Sequence, residues 1–309
     1  MFFRIFSLCV FFAAPALGWW CEGHETVALV AGKHLSPAAS AAVAKLLKDY
    51  PALTPRACKD SQTDPMAIAS TWADDVKKSE KTGSWHYMDI PLGLKKGEPE
   101  EYCVPIGPSV NGGERPGCIL SALRSAVNIL HSEKESDEEK ATALRYLIHL
   151  VGDLHQPLHT TSNNDQGGNC TPVQFFDEPK VSNLHSLWDG MVFNRDLAGK
   201  KETVNQLADR IDQEHASKRA GWVKNAPEFD KWAWEGHLIA QKVSYGDLEP
   251  KPPVEKLDPK AECSVERDRF GALHITAGDA YEKEAAPVIE EQLAKGGYRL
   301  AEILNIIWP

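Results

Sequence analysis

Beyond its first eighteen residues, the 309-residue sequence has no apolar run that approaches the roughly 20 residues of a membrane-spanning helix. It also lacks a surplus of positive charge, because 34 lysines and arginines face 44 aspartates and glutamates. Proteins that follow duplex DNA through a basic groove normally carry clustered Lys and Arg. The two absences argue against a membrane-embedded mature protein and against nucleic-acid binding along a basic groove.

No two cysteines form a CxxC pair, so the sequence does not predict a zinc site made of thiolates. Of the seven cysteines, Cys9 lies in the apolar N-terminal segment, which leaves an even number. An even number of cysteines outside the cytosol predicts disulfides. The sequence does not choose among the possible pairings, although we favour Cys103 with Cys118 across a loop rich in Gly and Pro. The remaining cysteines are Cys21, Cys58, Cys103, Cys118, Cys170 and Cys263.

The first eighteen residues have the features of a signal peptide. Arg4 precedes an apolar run through Phe12, and small residues are present around Ala16 and Gly18. Removal of residues 1–18 leaves 33 basic and 44 acidic residues, a net charge of −11. We expect residues 19–309 to form one domain that is secreted or periplasmic.

Helical signals dominate this domain. A Ser-Pro pair caps an alanine- and leucine-rich run at 36–49, and a capping box at 136–139 precedes an apolar run at 141–149. Only residues 173–176 alternate like a strand, and the Pro-, Glu- and Lys-rich segment 247–260 predicts a surface excursion. The fold class is therefore mainly α, a single compact multi-helix domain with at most a short hairpin. Further helices are predicted at 65–79, 119–132, 200–219, 228–244, 268–294 and 298–307.

The main chemical signal is a pair of His-x3-Asp motifs, His149 with Asp153 and His185 with Asp189. Residues four apart lie on the same face of a helix, so each pair can direct two ligand atoms at one point. A single pair is common in ordinary helices, whereas two pairs together with His159 favour a shared metal site. Imidazole and carboxylate without thiolate suit zinc and leave room for water, which favours a catalytic site over a structural one.

Three further segments complete the pattern: WWCEGH at 19–24, TWADDVK at 71–77 and WHYMD at 85–89. Together with the two motifs, they resemble one family over nearly the whole mature chain. This family comprises the secreted zinc-dependent single-strand nucleases and 3′-nucleotidases of the S-one/P-one type. Its helical fold is shared with bacterial zinc phospholipase C, so the resemblance implies that fold here.

The resemblance implies three Zn²⁺ ions per chain. One ion would be held by Asp74, His86, His149 and Asp153. Asp153 would bridge to a second ion held by Trp19 and His24, and a third would be held by His159, His185 and Asp189. His155 also precedes His159 by four residues, but Pro157 disturbs the helix there, so we expect His155 to have a structural role.

In this family the mature amino-terminal tryptophan binds zinc through its free α-amino nitrogen and its carbonyl oxygen. The resemblance gives that role to Trp19 and requires cleavage after Gly18, because a peptide nitrogen is a poor ligand. From the residues alone, cleavage after Ala16 or before Trp20 stays open. The family's spacing between the terminal tryptophan and the following histidine, here His24, favours Trp19.

The resemblance also assigns residues to the substrate. Lys77 stands where the family has a basic residue facing the phosphate, while Tyr87 and Asp89 stand where a ring stacks on a base and a carboxylate binds the base edge. Asn169 is a candidate on other grounds: it ends the glycine-containing segment 165–169 between two ligand segments, where the backbone can approach a ligand closely and the side chain is expected to reach the phosphate. The residues alone are also compatible with a surface Lys77, a core Tyr87 and a plain turn at Asn169. Stacking contributes roughly 1–3 kcal/mol and requires an unstacked base, so single strands would be preferred.

For the reaction, the resemblance implies attack on phosphorus by a hydroxide held between two zinc ions, in line with the departing 3′-oxygen. Asp74, Lys77 and Asp153 are the implied catalytic residues, and Asp74 would orient the water. The expected substrates are single-stranded DNA, RNA and 3′-nucleotides, and the expected products of strand cleavage carry 5′-phosphates. We expect a monomer that acts without a membrane.

Two alternative functions are compatible with the same residues. A phospholipase C would act on a lipid head group with this zinc cluster, but such enzymes usually have Glu where Asp189 stands and lack the pair Tyr87 and Asp89. A non-enzymatic zinc-binding protein would use the cluster only to stabilise its helices. Open sites made of His and Asp do not favour that second reading.

Overall fold

The structure is a computed structural model that describes residues 19–54, 56–58, 62–109, 112–258 and 260–309. The predicted signal peptide, residues 1–18, lies outside the described residues. The α-helices are α1 (Cys21–Gly32), α2 (Pro37–Asp49), α3 (Pro65–Ser70), α4 (Trp72–Val76), α5 (Ile119–His131), α6 (Asp137–Leu154), α7 (Leu184–Ser186), α8 (Val192–Lys200), α9 (Val204–His215), α10 (Arg219–Val223), α11 (Phe229–Ile239), α12 (Cys263–Gly271) and α13 (Asp279–Ile307). The strands are β1 (Ile90–Pro91), β2 (Thr161–Ser162), β3 (Pro172–Phe175), β4 (Ser182–Asn183) and β5 (Thr276–Ala277).

The predicted mainly α class is confirmed, and the strands form two small sheets rather than one hairpin. In the larger sheet, β3 lies between an antiparallel β4 and a parallel β5. In the smaller sheet, β1 pairs in parallel with β2, and the Met88 amide donates to the His159 carbonyl at 2.8 Å. The parallel pair therefore brings together the two turns that precede it, at 83–86 and 157–159.

Helix α6 is the central element. Ser136 and Glu139 form the predicted capping box at its start, and nearly every residue from Ala141 to Leu154 is buried. It packs against α5 on one side and against α3 and α13 on others, while α1 packs against α3, α9 and α13. A polar motif on such a helix must find its partners inside the protein, because water does not reach it.

Four predicted helices have different boundaries. The segment 65–79 breaks at Thr71, whose hydroxyl donates to the Ile68 carbonyl and so competes with the helical pattern. The segment 200–219 is divided between α8 and α9, with a turn between them. The predicted helix at 268–294 is interrupted by β5, and α13 then continues without a break through the Gly296–Gly297 pair that separated two predicted helices.

Three disulfides join the described cysteines, and the predicted pair Cys103–Cys118 is confirmed. The other two are Cys21–Cys58 and Cys170–Cys263. Residues 247–258, the described part of the predicted surface excursion, form no helix, and the Asn163 side chain holds them through the Pro253 carbonyl and the Glu255 amide. Within the described ranges, no helix combines the length and the apolar character needed to cross a membrane.

Gly297 allows α13 to approach α1 closely, which yields a stability prediction. A Cβ at this position would lie 2.5 Å from Val30 Cβ and 3.0 Å from the Val27 carbonyl oxygen. Gly297→Ala should therefore lower the free energy of unfolding by about 1–3 kcal/mol, although alanine is the better helix former. Urea denaturation measures the change.

Gly199→Ala is the matched control, because no atom lies within 4 Å of its added Cβ in α8. This variant should gain up to about 1 kcal/mol. An equal gain in both variants would contradict the packing at Gly297.

Candidate metal centre and substrate cavity

The two motif residues of α6 form the middle of a buried polar cluster. His149 Nε2 lies 3.0 Å from Asp153 Oδ2, one helical turn on, and both side chains are fully buried. His24 from α1 and His86 from the turn 83–86 approach the same carboxylate. His24 Nε2 lies 3.4 Å from Oδ1 and His86 Nδ1 lies 3.0 Å from Oδ2.

Asp74 of α4 joins this group from the cavity side. Its Oδ1 lies 3.6 Å from His86 Nδ1 and 3.8 Å from His149 Nε2. The break at Thr71 matters here, because it separates the short helix that carries Asp74 from α3, whose Ser70 carbonyl binds His149.

A third group lies next to the first two. His185 Nε2 is 3.3 Å from Asp189 Oδ2, and His159 Nε2 is 3.8 Å from Asp189 Oδ1. The predicted one-turn spacing is realised on a π-helical turn, Leu187–Met191, that continues from α7. Such turns occur frequently at functional sites.

These side chains have the composition and spacing of metal ligands. In each of three groups, nitrogen and oxygen ligand atoms lie within 4.8 Å of one another. Several ring nitrogens, among them His86 Nε2 and His159 Nε2, are buried without a hydrogen-bond partner among the described residues. Buried polar atoms are normally satisfied, so these atoms fit ligation of a cation. The groups are His24, Asp74 and His149; His86, His149 and Asp153; and His159, His185 and Asp189.

Main-chain carbonyls orient three of the imidazoles. Nδ1 donates to the Ser70 carbonyl in His149 at 2.6 Å, to the His86 carbonyl in His159 at 2.8 Å, and to the Gly167 carbonyl in His185 at 2.7 Å. Since Nδ1 of each ring faces a carbonyl, Nε2 is the nitrogen directed at the cluster and able to bind a metal ion there.

Burial and neighbouring charges shift the pKa values of several side chains in the cluster. Burial opposes protonation of His149, but the carboxylates of Asp153 and Asp74 outweigh it and raise its pKa to about 9. Burial and the neighbouring His149 lower the pKa of His24 to about 4. Burial, reinforced by Asp153 and Asp74, raises the pKa of Asp189 well above its usual range. Three carboxylates in one buried place therefore call for compensating positive charge.

Trp19 and Trp20 lie against the cluster. The buried Trp19 indole donates to the Gly152 carbonyl at 2.9 Å, and the Trp20 amide donates to the Asp189 carbonyl at 2.8 Å. The backbone that precedes α1 thus runs between α6 and the turn that carries Asp189. Trp19, which the family resemblance assigns as a metal ligand, lies in this backbone.

His155 belongs to a different network, as expected. Its Nδ1 donates to the Val151 carbonyl at 2.7 Å, and the Arg299 guanidinium donates to its Nε2 at 3.0 Å. Arg299 also pairs with Glu235 at 2.8 Å. Both ring nitrogens of His155 are therefore occupied, Nδ1 within the last turn of α6 and Nε2 by Arg299 of α13.

A cavity of about 510 Å³ opens beside the cluster and brings the predicted substrate residues together. Tyr87 is 44% exposed there rather than packed in the core. Lys77 is only 11% exposed, and its Nζ lies 3.0 Å from Asp74 Oδ1, so it is not an ordinary surface lysine. The cavity is lined by Lys77, Gly83, Ser84, His86, Tyr87, Asp89, Glu114, Leu158, His159, Gln166, Gly167, Asn169 and His185.

Two of the predicted substrate residues also have partners in the protein. Asn169 lines the cavity while its amide donates to the Gln166 carbonyl at 2.8 Å, so the side chain also stabilises its own turn. Burial and the nearby Asp165 raise the pKa of Asp89 to about 6, although Ser162 hydrogen-bonds the carboxylate and acts in the opposite direction.

Some residues that support the site were not predicted from the sequence. Gln156 donates to Asp189 Oδ1 at 2.6 Å, and the only sequence signal for this role is its position between the predicted ligands Asp153 and His159. The Ser70 carbonyl and the Glu114 side chain, which reach the site only through the tertiary fold, carry no sequence signal.

Comparison with known proteins agrees with this geometry. The family model described as S1/P1 Nuclease matches residues 19–308. The chain belongs to the S1/P1 nuclease family. It is therefore a hydrolase that acts on phosphodiester bonds, of the S-one/P-one type indicated by the sequence.

Relatives in fungi and plants are similar along nearly their whole length. Nuclease S1 of Aspergillus oryzae is 28% identical over 94% of this chain and 92% of its own. Nuclease P1 of Penicillium citrinum is 27% identical over 94% of this chain and 97% of its own. Endonuclease 4 of Arabidopsis thaliana is 29% identical over 95% and 90%, respectively.

Gly152 packs against the imidazole ring of His24, and this contact yields a prediction about metal binding. A Cβ at this position would lie 2.8 Å from His24 Nδ1 and 3.3 Å from its Cε1, in a ring that is fully enclosed. Gly152→Ala should displace the imidazole and weaken binding of Zn²⁺, used as the probe, by about 10–100-fold. Competition with a chromogenic chelator measures the affinity.

Gly32→Ala, at the end of the same helix α1, is the control, since its added Cβ meets no atom within 4 Å. Unchanged zinc affinity in Gly152→Ala would show that His24 does not depend on this contact.

The raised pKa of Asp89 predicts a pH-dependent stability. The folded state holds this proton more tightly than the unfolded chain, so the ionised carboxylate costs stability as the pH rises from about 4 to about 6. Asp89→Asn removes that cost and should raise the free energy of unfolding above pH 6 by up to about 3 kcal/mol, with little effect below about pH 4. Denaturation of both proteins in identical buffers tests this.

The exposed Asp177→Asn serves as control and should change stability equally little at both pH values. A gain for Asp89→Asn that is the same at low and high pH would contradict the assignment.

Proposed function

We propose that residues 19–309 are a secreted zinc-dependent phosphodiesterase that hydrolyses single-stranded DNA and RNA to 5′-phosphorylated products and also acts on 3′-nucleotides. One observation carries this proposal. The imidazoles of His86, His159 and His185 line the same cavity as the exposed ring of Tyr87 and the carboxylate of Asp89. A nucleotide in this cavity would have its base on the ring and its phosphate at the cluster.

The ligand atoms of the cluster suit three zinc ions. The three groups contain only imidazole and carboxylate ligand atoms, which suit Zn²⁺ and leave positions for water. Asp153 faces His24 with one oxygen and His86 and His149 with the other, which supports a bridging role. When bound, zinc would stabilise negative charge and lower the pKa of a bound water.

Asp74 and Lys77 are the side chains that act on the phosphate. Lys77 Nζ lies 3.0 Å from Asp74 Oδ1, at the edge of both the cluster and the cavity. The ammonium group is placed to hold a phosphate oxygen, and the Asp74 carboxylate to orient the attacking water.

The α-amino group of Trp19 completes the ligand set in this proposal, which requires cleavage after Gly18. The family match begins at Trp19, and the Trp19 indole is anchored on Gly152 of α6. The disulfides fit an oxidising compartment, as export through a signal peptide would provide.

Preference for single strands follows from the cavity. Tyr87 can stack on a base only if that base has left its neighbours, and the ring is exposed to a cavity of about 510 Å³ that admits such a base. Asn169 and Lys77 would hold the phosphate of the same nucleotide.

The direct test uses the secreted, zinc-loaded protein. Intact mass should show a chain that begins at Trp19, and metal analysis should show three zinc ions per chain. Denatured DNA, RNA and 3′-adenosine monophosphate should be hydrolysed, duplex DNA should react more slowly, and phosphatidylcholine should not react. Strand-cleavage products should carry 5′-phosphates.

His149→Ala should lose zinc and at least about a thousandfold in kcat, since it removes a ligand of the central groups. His131→Ala, at the exposed end of α5, should match the wild type. Turnover of lipid without turnover of nucleic acid would replace the proposal with the phospholipase C alternative. A folded, zinc-loaded protein inactive on all these substrates would support a purely structural cluster.

A further inference from the structure

One wall of the substrate cavity carries Glu114, an acidic residue to which the proposed reaction gives no role. Glu114 lines the cavity together with Tyr87 and Asp89. Its Oε2 accepts a hydrogen bond from the Gly83 amide at 3.0 Å. Its Oε1 accepts none from the part of the chain that the structure describes, and is available to a ligand.

The backbone around Glu114 is held in place. The Arg115 amide donates to the Lys81 carbonyl at 2.8 Å, and the Ser84 hydroxyl donates to the Arg115 carbonyl at 3.0 Å. The disulfide at Cys118 anchors the chain four residues after Glu114. The backbone that carries Glu114 is therefore held at the cavity wall.

Two carboxylates line the cavity together with the stacking ring of Tyr87. One is that of Asp89, two residues after the ring, and the other is that of Glu114, which accepts the Gly83 amide. Lys77 and the imidazoles of His86, His159 and His185 line the same cavity. With zinc bound by these imidazoles, the cavity would be positive where a phosphate would lie, whereas Asp89 and Glu114 make it negative beside the ring.

Carboxylates only accept hydrogen bonds, so they distinguish bases by the donors that each base offers. The Watson–Crick edge of guanine presents two adjacent donors, the N1 hydrogen and the N2 amino group. Adenine and cytosine present one amino group beside a ring nitrogen that a carboxylate repels, and uracil presents one N–H between two carbonyls. Two carboxylates around a stacked base therefore favour guanine.

We propose that Glu114, acting with Asp89, makes this cavity select guanine as the stacked base. The inference rests on the proposed nuclease function and adds a specificity that the zinc cluster and the aromatic ring do not supply. Glu114 would contact the base directly, through a charged hydrogen bond.

The test compares binding of guanosine, adenosine, cytidine and uridine to the zinc-loaded protein at neutral pH by calorimetry. Dinucleoside monophosphates that vary the 5′ base give kcat/KM in parallel. Guanosine should bind at least about tenfold more tightly than the other nucleosides, as expected for a hydrogen bond to a charged group. GpA should likewise show the highest kcat/KM among GpA, ApA, CpA and UpA.

Glu114→Gln should reduce the guanosine preference by about tenfold while it retains an oxygen that can accept the Gly83 amide. Glu114→Asp, which keeps the charge, should retain part of the preference. Glu133→Gln, exposed and outside the cavity, makes the same charge change and should leave both readouts unaltered. Circular dichroism and zinc content should be equal in all four proteins.

Equal affinity for the four nucleosides in an enzyme that cleaves single strands would overturn this inference and leave the proposed function intact. A Glu114→Gln protein with undiminished guanosine preference would also overturn it. Absence of turnover on every single-stranded substrate would instead remove the proposed function on which the inference rests.

Discussion

The carboxylate of Asp153 lies fully buried among imidazoles that arrive from three separate parts of the chain. Its Oδ1 is 3.4 Å from His24, and its Oδ2 is 3.0 Å from both His86 and His149. A charge this deep in a protein is tolerated only with compensating partners, because desolvation costs several kcal/mol. The helices and turns around α6 are arranged so that these partners, and a cation among them, can meet.

Backbone contacts hold the imidazoles of the cluster in position. Main-chain carbonyls fix the rings of His149, His159 and His185, and the β1–β2 pair holds the turns of His86 and His159 side by side. His24 depends on the packing of α1, which α13 approaches closely. Long-range packing thus sets the position of ligand atoms far from the C-terminal helix.

The features that are local in sequence were predictable. The capping box of α6, the His-x3-Asp spacing and the Cys103–Cys118 pair each involve residues within about one loop or turn, where periodicity and capping rules apply. The cysteine pairs separated by 37 and 93 residues were not, because only the tertiary fold brings them together. The same holds for the π-helical turn that carries Asp189, for the uninterrupted α13, and for Glu114 in the cavity wall. The residues assigned to the site were identified through the resemblance to a nuclease family, whereas spacing alone indicated only the two motifs and His159.

The buried His and Asp side chains beside the cavity are proposed to hold three zinc ions, two of them around Asp153. Anomalous diffraction from crystals of the secreted protein, measured on both sides of the zinc absorption edge, tests it most directly. We expect three zinc peaks, two of them beside the two oxygens of Asp153 and the third between His159, His185 and Asp189. A fully active crystalline enzyme with no zinc peak at these side chains, or with zinc only elsewhere, would contradict it.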